Sequence, residues 1–313
     1  MTTTLITDAS IAWKLLNGIF ISYKPAGISS RIMRSTIQKL LCKELNEMHV
    51  RPPTTYVCIE GETNKPMTVS TRPSFADNIL AAGPRYQEKD IKLFCPIMPG
   101  KDTSGVVVTG IGKGTKIAYK LLESKTTRHY KLKGTLGQAT NNYFISGKIV
   151  EKSTYKHVRR HMIDKICASM QSSHQRKMFE QCGVDMESQA AFELAVQGPI
   201  RPATSKVPVL YSIKCIDFES PEFTLEIVCL NEYEDYLKTL IHELGMKLHT
   251  TATCTQIQCF QYGLFNVEHA LLKKHWKLEH IIHNIQECQT ILDNNEYLLH
   301  QKSASLLQQT NSE

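Results

Sequence analysis

The apolar run from Val106 to Ile111 constrains the fold of this chain more than any other stretch. Bounded by Gly105 and Gly112, it suits a central strand. The chain enters it through Pro99-Gly100-Lys101-Asp102-Thr103-Ser104, a loop of turn formers, and leaves through Gly112-Lys113-Gly114-Thr115-Lys116. A second buried strand reads from Gly18 to Tyr23 and is stopped by Lys24-Pro25-Ala26-Gly27. Ser29 or Ser30 then caps a helix from Arg31 to about Met48, with Ile32, Ile37, Leu40, Leu41, Leu45 and Met48 as its apolar stripe. Residues 50–104 carry repeated prolines and read as irregular, a length that marks a functional or disordered region.

Beyond the central run, a short helix is expected at Ala118–Leu122 and an alternating strand at Tyr130–Leu136. Helices follow at about 155–170 and 187–196, strands at 207–218 and 223–230, and a helix at about 233–248. A last hairpin spans 256–267 and turns at Gly263. Strands and helices mix without regular alternation, which favours an α+β fold over a doubly wound parallel sheet. The expected division is an N-terminal segment 1–16, a main domain 17–285 with a helical insertion at about 151–200, and a polar tail 286–313.

The net charge of +7 suits a polyanionic partner. Lys113, Lys116, Lys120, Lys125, Arg128, Lys131 and Lys133 fall close together against a single acid, Glu123, and Arg159 and Arg160 decorate the next helix. Such stripes neutralise phosphates without reading sequence. The ten cysteines form no C-x-x-C pair, so reduced thiols in an intracellular compartment are expected. His157 and His161 have the i, i+4 spacing of a metal pair but lack a third ligand, so no metal and no cofactor are implied. No apolar run reaches the roughly 18 residues of a membrane span. Met1 to Leu16 has no arginine and makes a weak mitochondrial presequence.

Five elements, in order, resemble the TruB-type RNA pseudouridine synthases. Lys24-Pro25-Ala26-Gly27-Ile28-Ser29 resembles an opening K-P-x-G-x-S element. The 99–116 stretch resembles G-x-L-D-P-x-A-x-G-V-L followed by G-x-x-T-K. Arg128-His129-Tyr130 with Leu136-Gly137-Gln138-Ala139-Thr140 and Gly147 resembles K-x-Y…L-G-x-x-T…G. Phe192-Glu193-Leu194-Ala195 with Gly198 resembles Y-E-x-A-R-x-G, and Tyr236 through Gly245 resembles Y-I-R-T-L-x-x-D-L-G. The likeness covers about residues 17–270 and is strongest to the branch found in animal mitochondria.

The resemblance implies a mixed, mostly antiparallel sheet with a central cleft, RNA as partner and the mitochondrial matrix as compartment. It also implies a catalytic aspartate. In an ungapped frame that position is Gly100, and the nearest carboxylate, Asp102, comes two residues later. The position of a family histidine that wedges into RNA is Cys95. Tyr130 corresponds to a base-stacking tyrosine, Lys238 to the arginine that pairs with the aspartate, and Lys24 to a brace of the loop. The leading expectation is therefore an RNA-binding protein of this family, weak or inactive in catalysis, with a glycine at position 100 that adopts positive φ. The RNA partner would be mitochondrial mRNA, tRNA or rRNA, and one alternative is an active uridine-to-pseudouridine isomerase on mitochondrial mRNA or rRNA that uses Asp102. Another is a structural factor working with RNA-granule or ribosome-assembly proteins.

Overall fold

The structure is a computed structural model and describes residues 7–49, 54–75, 78–196, 200 and 207–295. The chain opens on α1 (Ala9–Leu15), whose N-terminus is capped by the Asp8 carboxylate. β1 (Gly18–Lys24) and α2 (Ser30–Glu47) follow, and Ser29 is the cap, accepting from the Ile32 N–H at 3.3 Å. Met33, Ile37, Leu41 and Leu45 form the buried face of α2. Ile32, expected on that face, is 57% exposed. It lies one residue, about 100° of helix turn, away from Met33.

The region expected to be irregular contains an antiparallel hairpin of β2 (Thr55–Glu60) and β3 (Thr68–Pro73), then α3 (Ile79–Ala82) and β4 (Leu93–Phe94). Neither hairpin strand has a buried face, so no alternation of apolar residues marks it in the sequence. The chain continues through β5 (Thr103–Ile111), α4 (Gly114–Glu123), β6 (Arg128–Leu136), β7 (Gln138–Thr140) and β8 (Ile149–Lys152). Next come α5 (Arg160–Gln181), α6 (Gln189–Val196), β9 (Val209–Glu219), β10 (Glu222–Leu230), α7 (Glu234–Lys247), β11 (Ala252–Tyr262), β12 (Phe265–Asn266) and α8 (Leu278–Asp293). Helix α8 runs past residue 285, where the polar tail was expected to begin, because Ile285, Cys288 and Leu292 are buried. Helix α1 buries Ala9 and Ala12 against the same core, so described residues of the 1–16 segment belong to the folded body. Gly198 lies outside the described residues.

The main sheet has eight strands in the order β1-β5-β11-β6-β10-β9, with β4 attached to β5 and β12 to β11. Among these pairings only β5–β11 is parallel. The expected α+β fold on a mixed, mostly antiparallel sheet is what the chain forms. Every residue of β5 is buried, as the apolar run requires of a central strand. Gly105 marks its close approach to β11. Its φ is +119°, and a Cβ there would strike the Cys259 carbonyl. In β6, Arg128, Tyr130, Leu132 and Leu136 point into the core, while Lys131 and Lys133 lie exposed on the other face. One face of this half of the sheet is thus covered by α5 and α7, and the other carries polar and charged side chains.

Candidate active site

The loop ahead of β5 is held at several points by the turn that follows β1. Ser30 Oγ donates to the Pro99 carbonyl at 2.6 Å, and the Gly27 N–H donates to the Lys101 carbonyl at 2.8 Å. Lys24 Nζ donates to the Thr103 carbonyl at 2.6 Å and to those of Lys101 and Pro25 at 3.3 Å. Lys24 is fully buried, and burial pushes its pKa down to about 8 even though Glu234 and Asp102 act to raise it. The lysine therefore braces the loop through backbone carbonyls.

This depressed pKa gives a stability signature. Between about 8 and the ordinary lysine value of 10.5 the unfolded chain holds a proton that the folded chain has released. Stability contributed through Lys24 therefore rises with pH across that window. Lys24→Met is expected to remove this rise, read as the difference in urea midpoint between wild type and variant from pH 7.5 to 10. Equal slopes would show that Lys24 does not titrate there.

Asp102 and Lys238 meet although 136 residues separate them. Lys238 Nζ, projecting from the first turns of α7, donates to Asp102 Oδ2 at 2.8 Å and to Glu234 Oε1 at 3.1 Å. Its side chain is 7% exposed and lies over the Phe144 ring at 5.3 Å. Burial lowers the Lys238 pKa, but hydrogen bonds to Asp102 and Glu234 outweigh it, and the net shift is upward. The ammonium keeps its charge. Glu234 Oε2 also accepts from the Thr103 N–H at 2.8 Å and Thr103 Oγ1 at 2.7 Å. Asp102 retains 22% of its side-chain exposure, and its Oδ1 takes no hydrogen bond among the described residues.

Tyr130 sits in a second cluster beside this one. It is 4% exposed, and its hydroxyl donates to Glu232 Oε1 at 2.6 Å. Arg128 Nη2 donates to Glu232 Oε2 at 2.7 Å. Burial, reinforced by Glu232, raises the Tyr130 pKa far above the usual phenol value, so the hydroxyl remains a donor. Pro96, Ile97 and Pro99 close over Tyr130, leaving a cavity of about 10 Å³, room for one water at most. The two clusters are joined through the start of α7, where Glu232 and Glu234 stand two residues apart. Tyr130 and Lys238 face the same side of the sheet.

The expected RNA-contacting cations divide. Lys113, Lys116 and Lys120 are exposed on or beside α4, and Arg159 is exposed ahead of α5. Arg160 is half-exposed and donates to the Cys215 carbonyl at 2.9 Å. Lys125 is half-buried, and burial lowers its pKa. Arg128 does not belong with them. It is buried in the ion pair with Glu232, since inward alternation along β6 places it beside Tyr130. Cys95 is also buried, with Sγ 3.6 Å from Thr109 Oγ1, and cannot wedge into a nucleic acid from there. Gly100 lies outside the positive-φ region, contrary to expectation.

Sequence reading missed both Glu232 and Glu234. The visible signal was the acidic run Glu232-Tyr233-Glu234-Asp235 at a helix start, a pattern ordinarily attributed to the helix dipole.

Residues 101–233 match the profile of the TruB family pseudouridylate synthases, N-terminal domain. Over 283 residues the chain is 37% identical to the mitochondrial pseudouridylate synthase TRUB2 of Xenopus tropicalis, covering 88% of this chain and 86% of that one. The chain belongs to the TruB family of pseudouridylate synthases. The human mitochondrial TRUB2 is 35% identical over 273 residues, covering 85% of this chain and 82% of its own. With such relatives, the chain is a mitochondrial member of the family. The archaeal Cbf5 of a box H/ACA Nop10–Cbf5 complex aligns with 93% of this chain and 60% of its own. Its TM-score is 0.45 at 14% identity, too distant to carry weight. No helix among the described residues is long and apolar enough to cross a membrane.

For a TruB-family chain, the placement of the motif residues acquires a physical reason. The K-P-x-G-x-S turn holds the loop by its backbone, and the lysine of α7 holds the loop carboxylate. Gly105 lets the parallel strand come close enough to complete the sheet.

Proposed function

We propose that this chain is a pseudouridine synthase of the mitochondrial matrix acting on RNA, with Asp102 as its carboxylate. The observation that carries the reading is the 2.8 Å contact between Asp102 Oδ2 and Lys238 Nζ. A two-residue offset within a strand would move a side chain roughly 6.6 Å, out of reach of a fixed partner. Here β5 begins only at Thr103, so residues 99–102 are loop, and their path delivers Asp102 to the cation of α7. The free Oδ1 and the partial exposure leave one oxygen for substrate. It would act at the sugar carbon of a flipped uridine, as nucleophile or as base. Tyr130 would meet the base once the 96–99 segment withdraws from it. Mitochondrial mRNA, tRNA and rRNA all contain the uridine such a site requires.

A second reading, RNA binding without catalysis, is favoured by the closed 10 Å³ cavity over Tyr130 and by the buried Cys95. In that case the chain would serve as a structural factor in RNA-granule or ribosome assembly. Tritium release from 5-tritiated uridine in mitochondrial RNA separates the two. Release by the wild-type protein at the rate of an active TruB-family enzyme supports the first reading. No release, with RNA affinity intact, supports the second.

The RNA surface is testable independently. Lys116 and Lys120 border a groove of about 510 Å³ beside Phe94 and the exposed Tyr119, where a base could stack while phosphates meet the lysines. Replacing both lysines by alanine is expected to weaken RNA binding. It should also reduce the slope of log K against log salt by about 0.7 for each phosphate that is no longer neutralised. An unchanged slope would place the RNA elsewhere.

A further inference from the structure

A Cβ built on Gly100 lands on the Glu234 carboxylate, against its carbon and both oxygens. What excludes a side chain at position 100 is therefore an occupied space rather than an unusual backbone angle, since Gly100 is not in the positive-φ region. The occupant is itself fixed. Its Oε2 takes both Thr103 donors at 2.8 and 2.7 Å, its Oε1 takes Lys238 at 3.1 Å, and its side chain is 14% exposed.

Those bonds all reach the surroundings of Asp102. Thr103 is its neighbour in the chain, and Lys238 is its ion partner. From the first turn of α7, Glu234 thus holds the backbone after Asp102 with one oxygen and the cation facing Asp102 with the other. Asp102 and Glu234 share the ammonium at hydrogen-bond distance, with the exposed Asp235 farther out at 3.7 Å, and Glu234 also fixes where Asp102 is presented.

We propose that Gly100 and Glu234 form an exchanged pair. The space a loop side chain at position 100 would fill is taken by a glutamate from the helix, and Glu234 is a positioning residue that sets the Asp102–Lys238 contact. The catalytic half of this inference rests on the synthase reading above; the volume exchange does not.

Three chemical consequences follow. A carboxylate introduced at position 100 meets a carboxylate already there, so repulsion of like charges adds to the steric conflict. Removing Glu234 opens the space and makes the same substitution tolerable. Removing Glu234 alone frees the Thr103 N–H and lets Lys238 shift, which misplaces Asp102 without deleting it. A misplacement of about 1 Å in a reacting group can cost on the order of 100-fold in rate.

The test is a double-mutant cycle on the full chain: wild type, Gly100→Asp, Glu234→Ala and the double variant, measured by thermal unfolding and by tritium release from 5-tritiated uridine in RNA. Gly100→Ala, alone and with Glu234→Ala, runs in parallel in case the aspartate variant does not fold. Gly100→Asp and Gly100→Ala should each lower Tm by about 4 °C or more, and Glu234→Ala should recover most of that loss. Additive Tm changes would overturn the exchange, because residues that do not share space do not couple. For activity, Glu234→Ala should lower kcat roughly 10- to 100-fold with KM for RNA within twofold, and Glu234→Gln, which keeps the volume and an acceptor for Thr103, should lose less. A loss from Glu234→Ala as deep as that from removing the Asp102 carboxylate would make Glu234 the reacting group and overturn its positioning role. An unchanged kcat would overturn it equally. If wild type releases no tritium, the synthase reading and the positioning role fail together, and the Tm coupling still decides the exchange.

Discussion

Asp102→Asn is expected to reduce tritium release by at least about 1000-fold, with RNA affinity unchanged. Loss of a central reacting carboxylate removes most of an enzyme's rate, and what persists comes from binding and the remaining polar groups. Asparagine keeps the volume of the side chain and an oxygen that can accept from Lys238, so the loop should hold its path. Lys238 also retains Glu234 at 3.1 Å, so no buried charge is left alone. The exposed lysines of α4 are untouched, which is why affinity should not move. The variant therefore separates chemistry from binding and from folding. Release within tenfold of wild type would remove Asp102 from the reaction. Near-complete loss, with Tm within about 2 °C of wild type, would identify it as the carboxylate.

The framework of this fold was legible because its signals were periodic. The largely apolar character of Val106–Ile111 put β5 in the interior of the sheet, and alternation along Tyr130–Leu136 marked β6. The hairpin β2–β3 stayed hidden for the converse reason, since it buries neither face. Helix α8 was missed because its apolar residues are spread among polar ones in a segment that reads as a tail, although Ile281, Ile285, Cys288 and Leu292 recur at helical spacing.

Lys24, Tyr130 and Lys238 stand out in the sequence one by one, through the motifs that carry them. Their partners do not. Whether Asp102 reaches Lys238 depends on the path of a short loop whose backbone is held by Ser30, Gly27 and Lys24. No local pattern encodes that path. The roles of Glu232 and Glu234 depend on which strand ends the turn between β10 and α7 comes to rest beside. Arg128 shows the same limit in charge. Within a run of lysines it reads as one more phosphate contact, and only its inward phase on β6 turns it into a core residue.

Arg128→Ala is accordingly expected to act on stability rather than on the salt dependence of RNA binding. Side-chain exposure is 4% for Arg128 and 1% for Glu232, so the pair is cut off from water. Burial alone would lower the arginine pKa, but the Glu232 carboxylate more than reverses this, and the guanidinium stays charged. Deleting one partner leaves the other charge buried and uncompensated, which costs about 3–5 kcal/mol. Against a total stability of about 5–15 kcal/mol, that is a large fraction of what keeps the chain folded. For a chain of this size it corresponds to a fall in Tm of roughly 5–8 °C. Tyr130→Phe removes one hydrogen bond to the same carboxylate and should cost less, about 1.5–3 kcal/mol. Replacing the pair together, Arg128→Met with Glu232→Leu, should destabilise less than Arg128→Ala alone, because an apolar pair carries no stranded charge. Thermal unfolding of the three variants decides the matter. If Arg128→Ala leaves Tm unchanged and instead flattens the salt slope of RNA binding, the guanidinium faces phosphate, and the buried cluster with Glu232 and Tyr130 is not what holds this end of β6.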